Sequence, residues 1–479
     1  MIKGPFNPYL PEEVYVPDGE PHVFGDRVYV YGSQDLKNGK SFCMGDYVVY
    51  SAPIDDLSKW TCPGVALPRK GPHSANGSNC LWAPDVMQGN DGKYYIYYCY
   101  TWQNLICVAR SDNPDGPYKY IGVVRHEDGK PYGHKKGDNH CFDPGCFRDD
   151  DGKCYLYSGY SCLDPMIKLI LAVKRARHIG AYGNQVMRMK EDMMTIEEGP
   201  KDLIPGKLNG VGTSFEGHEF YEASSMRKFN GKYYAIYSST LSHELCYGIS
   251  DYPDRDFVYG GILCSNADIG YNGNTEPTMD YGNTHGSVEY INGKYYVFYH
   301  RQTNLTENNR QGIAEEIKMD ENGHFSMVEM TSQGLRGKPF DEEGEYPARI
   351  ACMLKGKSPN RKVIYGKPKY DKFADHPFFE FKDGHQIVRN VCDGAKVGYK
   401  YFSFKGEYKI SLKLRGDEGE LLIADNEALE NASKVEFKGS KEFSSLDIAF
   451  KFEKDVSPLY ISYKGKGSVE LLSFTIAKI

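Results

Sequence analysis

Short apolar and aromatic stretches alternate with polar turns along this chain, and one phrase returns five times. A turn containing Gly is followed by an aromatic-rich strand: FGDRVYVYGS from Phe24, NDGKYYIYYCY from Asn90, DDGKCYLYSGY from Asp150, FNGKYYAIYSS from Phe229 and INGKYYVFYH from Ile291. All but the first carry the Asn-Gly or Asp-Gly signal of a tight hairpin, and the residues after each turn suit a strand packed on both faces. The turn glycines Gly25, Gly92, Gly152, Gly231 and Gly293 lie between 60 and 79 residues apart. A second phrase follows three of the copies, a Ser with an aromatic residue nine positions on: Ser51 to Trp60, Ser111 to Tyr120 and Ser250 to Tyr259. It reads as a third strand, a Pro/Asp turn and a fourth strand. Four strands per unit and five units predict a five-bladed β-propeller over 1–330.

The third unit is the longest. Its additional residues, MIKLILAVKRARHIG and GNQVMRMKEDMMTIEEGP, are expected to form a strand and a surface excursion near the mouth of the fourth blade. Residues 331–370 break the rhythm and read as a connecting segment. Alternation then resumes, with Tyr408, Ile410, Leu412 and Leu414 set against Lys409, Ser411, Lys413 and Arg415. Roughly eight short antiparallel strands over 371–479 predict a β-sandwich of jelly-roll type, so the whole chain is expected to be all-β.

Composition narrows the partners. Among 479 residues there are 39 Tyr and 51 Gly, which fits many short strands and turns. A net charge of −7 argues against nucleic acid or an anionic membrane as the main partner. No apolar run reaches the length of a membrane span. The amino terminus, MIKGPFNPYLPEE, has no apolar signal core, and a cytoplasmic protein is expected. The 13 Cys are scattered, without CxxC or zinc-like spacing, and read as buried reduced thiols.

Chemistry enters in front of the turns. Seven to nine residues before the five turn glycines stand Asp18, Asp85, Asp143, Glu222 and His285. The strand before each turn should line the propeller's channel, so these five residues are expected to meet at one end of it. Crowded carboxylates cannot all ionise cheaply, and their pKa values are driven apart. One protonated and one ionised carboxyl group are what general acid–base cleavage of a glycosidic bond requires, and a separation of roughly 6.5–9.5 Å gives inversion. A bound cation is the rival use of the same carboxylates, and His285 reads either as a core histidine or as one that orients a metal or water. Trp82, three residues before Asp85, offers an indole face to a sugar ring. Arg310, in NNRQGIAEEI, is a candidate for binding a carboxylate or sugar hydroxyls.

With PDGEPHVFGDRVYVYGSQD, LWAPDV, CFDPGCFRDDDGKCYL, YEASSMRKFNGKYY and HGSVEYINGKYYVFYHR in order, 1–330 resembles glycoside hydrolase family 43. The resemblance implies a five-bladed propeller hydrolysing arabinosides or xylosides with inversion. It implies Asp18 as catalytic base, Asp143 as the residue that tunes the acid, and Glu222 as general acid. Glu198, in an EGP sequence, is the fallback acid, because the segment at Glu222 reads EASS where many members have EGP. The resemblance further implies His285 near a channel calcium or sodium ion, with no cofactor needed for the chemistry, and Trp82, Asp85 and Arg310 at the substrate. The carboxy-terminal region resembles family 6 carbohydrate-binding modules, with Tyr399, Tyr401 and Phe402 as candidate aromatics. The expected activity is exo-acting release of terminal α-L-arabinofuranosyl residues from plant-derived oligosaccharides. A β-D-xylosidase is the alternative within the family, and a non-catalytic sugar-binding propeller is the alternative of another class.

Overall fold

A computed structural model describes residues 2, 4–162, 169 and 182–479. Five antiparallel sheets surround a channel. Their innermost strands are Glu20–Phe24, Asp85–Gln88, Gly145–Arg148, Phe220–Phe229 and Ser287–Ile291. Each pairs with the aromatic strand after its turn: Arg27–Tyr31, Tyr94–Tyr98, Cys154–Ser158, Lys232–Ser239 and Lys294–Thr303. The repeated Gly has a physical cause, since all five turn glycines sit at positive φ, between 64° and 89°.

Two expectations change. Only blades one, four and five have two-residue turns, as in Phe229↔Lys232. Blades two and three have five residues between Gln88 and Tyr94 and between Arg148 and Cys154. In blade three, GNQVMRMKEDMMTIEEGP is no excursion: it supplies the third and outer strands, Gln185–Met189 and Ile196–Asp202. The segment MIKLILAVKRARHIG lies outside the described residues except for Leu169.

The tyrosines pin blade to blade. The Tyr31 hydroxyl donates to the Pro114 carbonyl (2.8 Å), Tyr97 to Met193 (2.9 Å), Tyr157 to Pro253 (3.1 Å) and Tyr234 to Gly323 (2.8 Å). In each case a ring from a second strand fills the gap between blades, and its hydroxyl satisfies a carbonyl in an outer turn of the next one. Apolar burial and a buried hydrogen bond therefore come from one residue type at these four seams. Tyr157→Phe keeps the packing but leaves the Pro253 carbonyl unpaired. It should cost about 1–2 kcal/mol of stability, read by chemical denaturation; an unchanged midpoint would contradict the pinning role.

Blade five has three strands, ending with Thr306–Ile317. The amino-terminal segment covers it: Asn7 Oδ1 accepts from the Ala314 amide (2.9 Å), and Asn7 Nδ2 donates to Glu315 Oε1 (2.8 Å). The carboxy-terminal sandwich begins earlier than the sequence suggested. Gly344–Pro347 pairs with Ser468–Lys478, and Met353–Lys355 pairs with Lys396–Phe402, so much of 331–370 belongs to the sandwich. Its two sheets contain six and five strands. Tyr234, Tyr299 and Phe325 of the propeller share one continuous apolar core with Tyr346, Tyr399, Phe402 and Phe474 of the sandwich. Tyr399 and Phe402 are fully buried, and the Tyr401 hydroxyl donates to Glu329 (2.7 Å). The first two rings are core, and the third is engaged at the interface between the two halves.

Candidate active site

Asp18, Asp143, Glu222 and His285 line one cavity of about 930 Å³ at the end of the channel, together with Trp82 and Arg310. Backbone geometry aims the acids there. Asp18 and Asp143 stand two residues before their inner strands, both at positive φ (58° and 39°). In blade four the pairing register shifts on either side of Glu222, and Ala223 takes φ 68°. Such bulges re-aim side chains, and strained backbone of this kind concentrates at functional sites. The Ala223 amide in turn donates to Asp143.

Asp18 is held ionised. Burial alone would raise its pKa, but the Arg310 guanidinium, His285, His300 and the Ser33 hydroxyl together lower it. Arg310 Nη1 lies 2.7 Å from Asp18 Oδ1, and Ser33 Oγ lies 2.5 Å from Oδ2. His300 receives the Asp18 amide at Nδ1 and donates from Nε2 to the Asn283 carbonyl (2.9 Å), and burial keeps it neutral. Glu222 goes the other way: burial first, then the neighbouring Asp143 and Asp18 charges, push it up to about 8. Burial raises Asp143 as well, and His285, 3.6 Å away, opposes that rise. Burial disfavours a charge on His285, but Glu20, Asp143 and Asp18 carry it up to about 9. One buried carboxyl group thus keeps its proton near neutral pH beside another that has lost it.

Three sequence expectations shift. Asp85 does not line the cavity: it starts its inner strand and sits deeper, bound to His22 Nε2 (2.6 Å) and the Cys146 amide (2.8 Å). In blade two it is Ala83, two residues before the inner strand as Asp143 is in blade three, that lines the cavity beside Trp82. Arg310 lines the cavity but is buried, with Nε 2.9 Å and Nη2 3.1 Å from Asp35 and Nη1 on Asp18, so most of its donors serve carboxylates of the protein itself. Glu198 lies on the outer strand of blade three, half-exposed and paired with Arg188 and Lys201, away from the cavity. Trp82 lines the cavity with its ring 5.0 Å from that of Phe142.

Sequence reasoning missed Asp35, His300, Phe42, His140, Trp102, Lys362 and Tyr365. His140 is a cavity imidazole that burial pushes down to about 4, and its buried Nδ1 has no hydrogen-bond partner among the described residues. For a channel cation, Glu20 Oε1 is buried without a hydrogen-bond partner among the described residues and lies 3.8 Å from His285 Nε2. Donor atoms of Glu20, His22 and Asp85 gather within 4.8 Å of one another. Carboxylate oxygens of this kind fit a hard cation, although Arg227 Nη2 already neutralises Glu20 Oε2 at 3.0 Å.

A propeller with a carboxylate-lined cavity, one acid held protonated and one ionised, has the equipment of a glycoside hydrolase. The model of glycosyl hydrolases family 43 matches residues 21–325, and the chain belongs to that family. It is 39% identical over 485 residues to a xylosidase/arabinosidase of Thermoclostridium stercorarium, covering 99% of both chains. Among solved structures, a β-xylosidase/α-arabinofuranosidase from a compost microbial metagenome, crystallised with xylotriose in a calcium-free form, is 27% identical. It aligns with a TM-score of 0.51 over 66% of this chain and 96% of its own. An arabinoxylan arabinofuranohydrolase from Bacillus subtilis, 18% identical, aligns with TM-score 0.50 over 99% of this chain and 97% of its own, and shares the fold across both halves. Among the described residues, no helix is long and apolar enough to cross a membrane.

Proposed function

We propose that the protein is an exo-acting, inverting glycosidase that releases terminal α-L-arabinofuranosyl residues from plant-derived oligosaccharides. The observation that carries the glycosidase chemistry of this reading, for either sugar, is the split between two buried carboxyl groups in one cavity, Glu222 raised to about 8 and Asp18 lowered. In the reaction, Glu222 gives its proton to the departing glycosidic oxygen as the bond to the anomeric carbon breaks. A water attacks that carbon from the opposite face and gives its proton to Asp18. Asp143, where ionised, adds negative charge beside Glu222 and favours its protonated form, while His285 faces Asp143 and Asp18 and opposes the burial that pushes Asp143 up to about 7. A calcium or sodium ion, where bound, would be held by the Glu20 carboxylate near His285 and would supply at the channel axis the positive charge that the imidazolium otherwise carries; no step above depends on it.

Release of terminal β-D-xylosyl residues is the second reading. It is favoured by the paired xylosidase/arabinosidase names of the relatives and by the xylotriose bound in the compost metagenome structure. Paired assays on aryl α-L-arabinofuranoside and aryl β-D-xyloside, with the released anomer followed by NMR, test both. The expected product is the arabinose anomer opposite to the substrate, with the xyloside turned over at least tenfold more slowly, about 1.4 kcal/mol of transition-state preference. A reversed ratio would exchange the two readings, and retention of configuration would remove the mechanism.

A further inference from the structure

The cavity wall is not built by the propeller alone. Residues 361–366, on the segment that runs into the sandwich, are stitched across the top of blade five. Lys362 bridges to Tyr281 and Ile364 to Thr306, both in parallel. The Val363 amide donates to the Tyr281 carbonyl (2.8 Å), and the Gly366 amide donates to Asn308 Oδ1 (2.8 Å). Val363 anchors the segment inward, packing with Leu305, Phe373 and Phe378. Its neighbours Lys362 and Tyr365 face the cavity.

Burial falls steadily from the catalytic end to these two residues. Asp18 is 3% exposed, whereas Tyr365 is 51% exposed. The wall is continuous between them: the Tyr365 ring lies 5.2 Å from that of Phe42, and Phe42 lies under the Arg310 guanidinium (4.7 Å) that holds Asp18. The Tyr365 hydroxyl donates to Ser41 Oγ (2.8 Å), which fixes the ring's position. Lys362 Nζ donates to Ser242 Oγ (2.9 Å) and stands 3.4 Å from Glu307. When the terminal sugar occupies the carboxylate end, the next sugar of the chain must lie against the outer part of the wall.

We propose that Tyr365 and Lys362 form the subsite for this second sugar, so that the segment leading into the sandwich completes the active site. The inference rests on the reading of the cavity as a glycosidase site. A half-exposed ring with a fixed orientation offers an apolar face to the C–H face of a pentose. The Lys362–Glu307 pair offers donors and acceptors to its hydroxyls, and its neutral balance suits an uncharged xylosyl or arabinosyl unit rather than an acidic one.

Calorimetric titration in a Glu222→Gln background tests the subsite without turnover. The background protein should bind xylotriose or arabinotriose more tightly than the corresponding monosaccharide. Adding Tyr365→Ala should weaken the trisaccharide about tenfold and leave the monosaccharide within twofold. Tyr365→Phe, which keeps the ring, should retain most of the trisaccharide affinity, and Lys362→Met should lose part of it. Unchanged trisaccharide affinity in the alanine variant, or an equal loss for mono- and trisaccharide, overturns the subsite. Failure of the Glu222→Gln background to bind any of these sugars instead overturns the glycosidase reading beneath it.

Discussion

Glu222→Gln is expected to lower kcat/KM on unactivated oligosaccharides by about 10³-fold while the fold stays intact. An amide matches the carboxyl group in shape but cannot give up a proton to a departing sugar oxygen. Its stability should hold, because the carboxyl group it replaces is kept protonated by burial first and then by the neighbouring Asp143, so no charge is lost. The loss should depend on the leaving group: a dinitrophenyl glycoside needs no protonation and should fall by only about tenfold. Asp18→Asn should lose about 10³-fold on both substrates, because the water must be activated whatever departs. The pH profile adds an independent check. Glu222 must be protonated to act, so wild-type activity should fall as pH rises through about 8, and that alkaline limb should vanish for Glu222→Gln on the activated substrate. Full activity of either variant, or equal sensitivity to leaving group in both, would remove the assignment.

The blades were legible in the sequence because each turn needs a residue at positive φ and each second strand needs rings that span two blades. Gly231 and Tyr234 show both demands within four residues. The acids were legible because each stands at a nearly fixed distance before its turn, and one misreading shows why nearly is not enough. Blades two and three share a five-residue turn, so the counterpart of Asp143, nine residues before Gly152, is Ala83, nine before Gly92. Asp85, seven before Gly92, falls deeper in the channel, where it bonds His22. Counting from the turn assumed equal turns. Phe42, Trp102 and Tyr365 were not legible at all: they come from loops and a linking segment without periodicity, and only tertiary packing brings them to the cavity. Asp35 is hidden for another reason. A lone Asp in GSQD gives no hint of an Arg 275 residues further on.

That Arg decides the last expectation. Sequence placed Arg310 at the substrate, but its geometry makes it a positioning residue for Asp18. Arg310→Lys keeps a positive charge in the same place, yet a single ammonium cannot reproduce the fork that joins Asp18 at 2.7 Å and Asp35 at 2.9 Å. An ammonium that cannot reach both carboxylates would oppose the burial of Asp18 less, and the Asp18 pKa would move upward. A base with a raised pKa is protonated over more of the acidic range, so the acid limb of kcat/KM should move to higher pH. The loss at neutral pH should be about 10²-fold and should fall chiefly on kcat, since the orientation of the base matters in the transition state rather than in binding. A substrate-binding arginine would give the opposite pattern, a raised KM with kcat and the acid limb in place. The steady-state constants of this one variant across pH therefore separate an arginine that holds the sugar from one that holds the base.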